Sequence, residues 1–214
     1  MLEREDVRAA VGHFLFGVHE PVSRPCTYVT LLRDPVDRIV SLYYHARHVS
    51  TDATLHELAA SRSLEGFVQD AGLKEIDNDQ TRRLSGIDAD VGCCSPSMLR
   101  QAQSNLATHF AVAGVTERFD ESLMLMKQTF GWRDPLYLPN LVNERRPPKN
   151  EISAAALDAI RTRNELDLQL YAHVVSRLET ALDRDGEGFR RELELFRKRN
   201  AGYRQSHGVP ARSN

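Results

Sequence analysis

At 214 residues and 24.2 kDa, the chain is long enough for one domain of ordinary size with its own core. Its 41% hydrophobic and 27% charged residues describe a globular protein, and no apolar run approaches the roughly 20 residues of a membrane-crossing helix. A formal net charge of −2 argues against a general nucleic-acid binder, yet only Lys74, Lys127, Lys149 and Lys198 are lysines, so a local arginine pocket for phosphate or sulfate stays open.

The first residues, Met1 to Asp6, carry acids and lack the apolar segment of a secretory signal. Three cysteines, Cys26, Cys93 and Cys94, are too few for a disulfide framework, and the vicinal pair lacks the second ligand couple of a zinc site. The expectation is a cytoplasmic protein that needs no metal.

Residues from about Asp6 to Val11 are expected to form a short strand or edge segment, followed by Gly12 to His19, a glycine-punctuated loop with aromatic anchors. Tyr28, Val29, Thr30, Leu31 and Leu32 make a β-rich run that reads as a buried central parallel strand. Asp34 then caps, and Pro35 opens, a helix. On that helix Val36, Ile39, Val40 and Tyr43 share one face, while Asp37, Arg38, Ser41, His45 and His48 share the other. A cation at the strand's carboxyl end, Arg33, with a hydroxyl two turns on, Ser41, can grip a phosphate-bearing ligand. The competing reading is a solvated face with Arg33 as a surface cation, and spacing alone does not choose between them.

Thr51 to Ala60 and Leu64 to Ala71 read as short helices with Thr54 and Ser63 as caps, and Asp79 to Ser85 as a brief helix stopped by Gly86. Gly92 to Pro96 is a break. Ser97 to Thr108 reads as a helix feeding the strand Phe110 to Val115, and Thr116 to Phe119 leads into a helix ending near Phe130, a second strand-helix unit. Asp134 to Asn150 is proline-rich and aperiodic, hence a loop. From Ser153 the pattern is helical, with Leu166, Leu170, Val174 and Leu178 at spacing four and a stop near Gly186 to Gly188. The charged final helix, about Phe189 to Arg199, reads as a solvated edge, with a homodimer seam as the alternative, and the last residues as disordered. The expected plan is one α/β domain over 1–184, predominantly helical around a small parallel sheet, then a charged helix and tail over 185–214.

Thr30-Leu-Leu-Arg33-Asp-Pro35-Val-Asp-Arg38-Ile-Val-Ser41-Leu-Tyr43-Tyr44 resembles the segment that binds the cofactor's 3′-phosphate in carbohydrate sulfotransferases of the heparan-sulfate 2-O-sulfotransferase-like group. The likeness extends to Gly12-His13-Phe14, to Asp77-Asn78 with Thr81 to Gly86, to Gly114 to Ser122, to Gly131-Trp132 and to Asn164 to Tyr171, spanning roughly Val11 to Val175. The resemblance implies a P-loop-like α/β domain that uses 3′-phosphoadenosine 5′-phosphosulfate as sulfuryl donor and a hydroxyl, most often of a carbohydrate, as acceptor. By resemblance Arg33 and Ser41 match the positions that hold the 3′-phosphate, consistent with a guanidinium taking two phosphate oxygens and a hydroxyl donating to a third. His13 matches the position proposed as catalytic base, where an imidazole would take the proton of the attacking hydroxyl. Arg82 and Arg83 are further candidates for acidic groups of the acceptor or the adenosine side of the cofactor, against the reading of a solvated helix. Glu117 and Arg118 are expected to pair structurally.

The chain departs from the family in one place. The family's opening strand and its Pro-Lys-x-Gly/Ser-Thr-Thr loop, which hold the 5′-phosphosulfate, have no counterpart: eleven residues precede Gly12, and none of the four lysines follows a strand in such a turn. The favoured account is a fragment or misassigned start, ahead of a short relative that has lost catalysis and of a loop supplied by a partner. Both an enzyme and a noncatalytic sulfotransferase-like nucleotide-binding or scaffold protein therefore remain open at this point.

Overall fold

The computed structural model describes residues 8–70, 72–139, 147 and 151–208. Asp6 and Val7 of the expected first strand, most of the proline-rich stretch, and the expected disordered end lie outside the described residues. Residues 8–11 form no strand.

Strands β1 (Tyr28–Leu32) and β2 (Phe110–Val115) pair in parallel, with Leu32 opposite Val115 and a register shift between Tyr28 and Val29. Parallel neighbours need a crossover, and here it is a run of helices, α1 (Pro35–His48), α2 (Ala53–Ala60), α3 (Leu64–Asp70), α4 (Asp79–Ser85) and α5 (Pro96–His109). After β2 come α6 (Phe119–Phe130), α7 (Ala154–Arg163) and α8 (Glu165–Ser206). The predominantly helical α/β expectation with a small parallel sheet is met. The central placement of β1 is not: among the described residues the sheet has two strands, so β1 is an edge, and Val29 is 44% exposed.

Local chemistry explains the helix limits. The Asp34 carboxylate accepts the Asp37 N–H at 2.9 Å and Pro35 opens α1, whose Val36, Ile39, Val40, Tyr43 and Ala46 are buried. The α2 cap is Asp52, which accepts from Leu55 N–H, rather than the expected Thr54; a carboxylate adds charge to the same hydrogen bond. Ser63 caps α3 as expected, accepting from Gly66 N–H. Gly86 ends α4 at φ 79°, and a Cβ there would stand 2.7 Å from the Phe16 carbonyl oxygen, so both backbone conformation and space demand glycine.

The expected stop near Gly186 is a kink inside α8, where φ 64° and ψ −149° interrupt the helical path. Beyond it the charged helix is not a solvated edge. Phe189, Leu193 and Phe196 are buried in one cluster with Leu123 and Met124 of α6. A second cluster joins Leu32, Val115, Leu99, Leu106, Leu170 and Val174, fastening α5 and α8 to the sheet. A third gathers α1, α2, α3 and α7 around Ile39, Val40, Tyr43, Phe67 and Ile160.

Candidate active site at the carboxyl end of the sheet

Arg33 directly follows Leu32 at the end of β1 and is half-buried. Its backbone N–H donates to Gln80 Oε1 at 2.9 Å, and its carbonyl accepts from Gln80 Nε2 at 3.0 Å. The next N–H, of Asp34, donates to Glu117 Oε1 at 2.9 Å. The hinge between β1 and α1 is thus held by α4 on one side and by the turn after β2 on the other. Ser41 lies half-buried in the second turn of α1, on the same strand-turn-helix unit as Arg33.

His13 lies in the irregular segment before β1, with an exposed side chain. Its carbonyl accepts from Arg83 Nη1 at 2.7 Å, and Phe16 N–H donates to the Arg83 carbonyl at 2.7 Å. The Phe16 ring then packs against Tyr28, 5.2 Å between centroids. The loop is therefore pinned to the end of α4 and to the start of β1. From Arg83 a chain of charges leads back to α1: Arg83 Nε donates to Asp79 at 2.9 Å, Asp79 also pairs with Arg38, and Arg38 donates to the Glu75 carbonyl at 2.6 Å.

Arg82 has a different place from the one weighed in the sequence. It is 2% exposed, so it is neither a solvated residue nor a ligand-reaching one. It donates to the carbonyls of Ala89, Lys74 and Asp77 at 2.8–2.9 Å, to Asp77 Oδ2 at 3.2 Å and to Cys94 Sγ at 3.2 Å. Burial pushes the Cys94 thiol up to about 11.

The amino end of α4 is organised from far along the chain. Asp167 of α8, with no exposed surface, accepts the N–H groups of Gln80 at 3.0 Å and Thr81 at 2.7 Å. These donors sit in the first turn of α4, where helical N–H groups have no partner of their own and a carboxylate is favoured. Burial nonetheless raises the Asp167 carboxyl above its ordinary value. Asn78, at φ 46°, turns its Oδ1 onto the N–H groups of Leu166 and Asp167, and Asn164 Nδ2 donates to the Ile76 carbonyl.

Glu117 and Arg118 do not pair with each other. Arg118 meets Glu121 at 2.5 Å and Glu179 at 3.5 Å, while Glu117 holds Asp34 N–H and accepts from the Tyr171 hydroxyl at 3.0 Å. Burial and the Glu117 carboxylate together raise the Tyr171 phenol. Sequence reasoning missed Gln80, Glu117 and Asp167 as organisers, because their partners lie far off in the chain.

Arg33 and Ser41 belong to one strand-turn-helix unit, whose turn lies beyond the carboxyl end of a parallel strand, the place where open α/β sheets bind ligands. A guanidinium and a hydroxyl are residue types suited to a phosphate ester. Of the lysines, Lys74 pairs with Asp88 and Lys127 with Glu192.

Residues 13–206 match the family model described as galactose-3-O-sulfotransferase. Among curated proteins, heparan-sulfate 6-O-sulfotransferase 2 of Mus musculus is 28% identical over 211 residues, covering 82% of this chain and 34% of that protein. The chain thus spans about a third of the length of this relative.

Proposed function

The chain belongs to the galactose-3-O-sulfotransferase family, whose members are carbohydrate sulfotransferases, and we propose that it carries the nucleotide-gripping part of a sulfotransferase acting on a carbohydrate hydroxyl. In this reading 3′-phosphoadenosine 5′-phosphosulfate supplies an activated sulfuryl group. Arg33 donates to two oxygens of its 3′-phosphate and Ser41 to a third. The His13 imidazole takes the proton of the acceptor hydroxyl as that oxygen bonds to sulfur, and the leaving phosphate oxygen keeps the electron pair of the broken S–O bond. The parallel pair, with each strand entering a helix, is read as part of a P-loop-like sheet. The family name favours a galactosyl hydroxyl as the acceptor.

The observation that carries this reading is Arg33 at the carboxyl end of a parallel strand and Ser41 in the helix that follows, inside a family match over 13–206. Calorimetry with adenosine 3′,5′-bisphosphate tests it. Binding by the wild type that is lost in Arg33→Ala supports the site, and no heat at millimolar ligand refutes it. Transfer of labelled sulfate to galactose-terminated and heparan-type glycans tests the reaction.

A second reading is a noncatalytic nucleotide-binding or scaffold protein. Nucleotide binding without any transfer would select it.

A further inference from the structure

The geometry points to Gln80 as a positioning residue for Arg33, a role that rests on the reading of Arg33 as a ligand of the nucleotide's 3′-phosphate. The ladder between β1 and β2 ends at the Leu32–Val115 pair. One residue later, where no strand continues it, the Gln80 carboxamide takes the Arg33 backbone from both ends, accepting from N–H at 2.9 Å and donating to the carbonyl at 3.0 Å. This is the double exchange that a residue of a neighbouring antiparallel strand would make, supplied here by one side chain.

The clip has a firm base. Gln80 is 9% exposed, and its own N–H donates to the fully buried Asp167 carboxylate at 3.0 Å. Glu117 then holds the following peptide through Asp34 N–H, so two successive backbone groups at the hinge are fixed from different elements. An arginine side chain gives up much rotamer freedom when it is ordered. Fixing the backbone it springs from limits where the guanidinium can sit, and bidentate contact to a phosphate depends on that placement. The two bonds join Gln80 to the Arg33 backbone, so its effect on a nucleotide passes through Arg33.

A double-mutant cycle on the full chain tests this, with adenosine 3′,5′-bisphosphate as titrant and urea unfolding run on every variant. Gln80→Ala is expected to weaken binding about five- to thirtyfold, the factor that one or two kcal/mol represents. Added to Arg33→Ala, the same substitution is expected to cost nothing further, because the arm it positions is gone. Gln80→Glu keeps the acceptor for Arg33 N–H and loses the donor to the carbonyl, so it should bind less well than the wild type. This variant keeps the cycle decisive should Gln80→Ala fail to fold. Equal losses from Gln80→Ala in both backgrounds, or wild-type affinity in both Gln80 variants, would overturn the positioning role while leaving the nucleotide site standing. A wild type that binds no nucleotide, or an Arg33→Ala variant that binds normally, would instead refute the site itself and this role with it.

Discussion

Replacing Arg82 by methionine separates an arginine that builds the fold from one that reaches for a ligand. The wild-type side chain is 2% exposed and faces Asp77, itself 4% exposed, across 3.2 Å. Methionine keeps much of the volume and removes the charge together with every donor. Asp77 would then be a buried carboxylate supported by Gly92 N–H at 2.7 Å and Asn78 Nδ2 at 3.1 Å, but without its cation. Breaking a buried pair from one side costs about 3–5 kcal/mol, and carbonyls left without donors act in the same direction. Against a typical total of about 5–15 kcal/mol this is a large fraction. For a chain of this length it corresponds to a fall in Tm of about 6–20 °C. Urea unfolding followed by circular dichroism measures the loss directly. Changing Asp77→Asn in the same chain should restore part of it, because the unpaired charge is removed. A loss below about 1 kcal/mol in the single variant would refute the buried role and return Arg82 to the candidates for ligand contact.

Other outcomes follow from the same geometry. Gly114→Ala places a Cβ 2.3 Å from Ser122 Oγ, which is bonded to the Val115 and Arg118 backbone, so thermal melts should show a loss of about 1–3 kcal/mol; an unchanged Tm would contradict the close approach of α6 to β2. With its thiol pushed up to about 11, Cys94 should react with iodoacetamide at pH 8 at least about tenfold more slowly than exposed Cys93 and Cys26, as read by peptide mass mapping; equal rates would be inconsistent with its burial. The raised Asp167 carboxyl means the folded state keeps a proton that the unfolded state has lost. Its contribution is therefore full below the ordinary Asp range and declines as pH rises toward the folded value. Urea melts across that interval should show the stability difference between wild type and Asp167→Asn falling as pH rises, and a difference that grows would reverse the sign of this account.

Much of the strand-helix framework was legible because its causes are local. The Asp34 cap, Pro35, the apolar face of α1 and the glycine stop at Gly86 each act within a few residues, and the structure keeps them all. The candidate ligand residues were legible only as a pattern on one strand-turn-helix unit, and only in a family context did that pattern acquire a ligand. Arg82 shows the limit. Adjacent arginines read alike in sequence, yet Arg82 turns inward to Asp77 whereas Arg83 reaches out to Asp79 and the His13 carbonyl. The charged stretch after Gly186 misled in the same way, since three apolar residues among many ionic ones suffice to seat it on α6.

The sequence by itself determined the two strand-to-helix turns and placed Arg33 and Ser41 on the first of them, since propensity, caps and side-chain periodicity are short-range properties. The tertiary structure alone decided what holds that turn: Gln80 lies 47 positions from Arg33, Glu117 lies 83 from Asp34, and Asp167 lies 87 from the Gln80 N–H that it fastens. Hydrogen bonds between such distant groups exist only after the core has closed around α4 and α8, because chain entropy must be overcome before they can form.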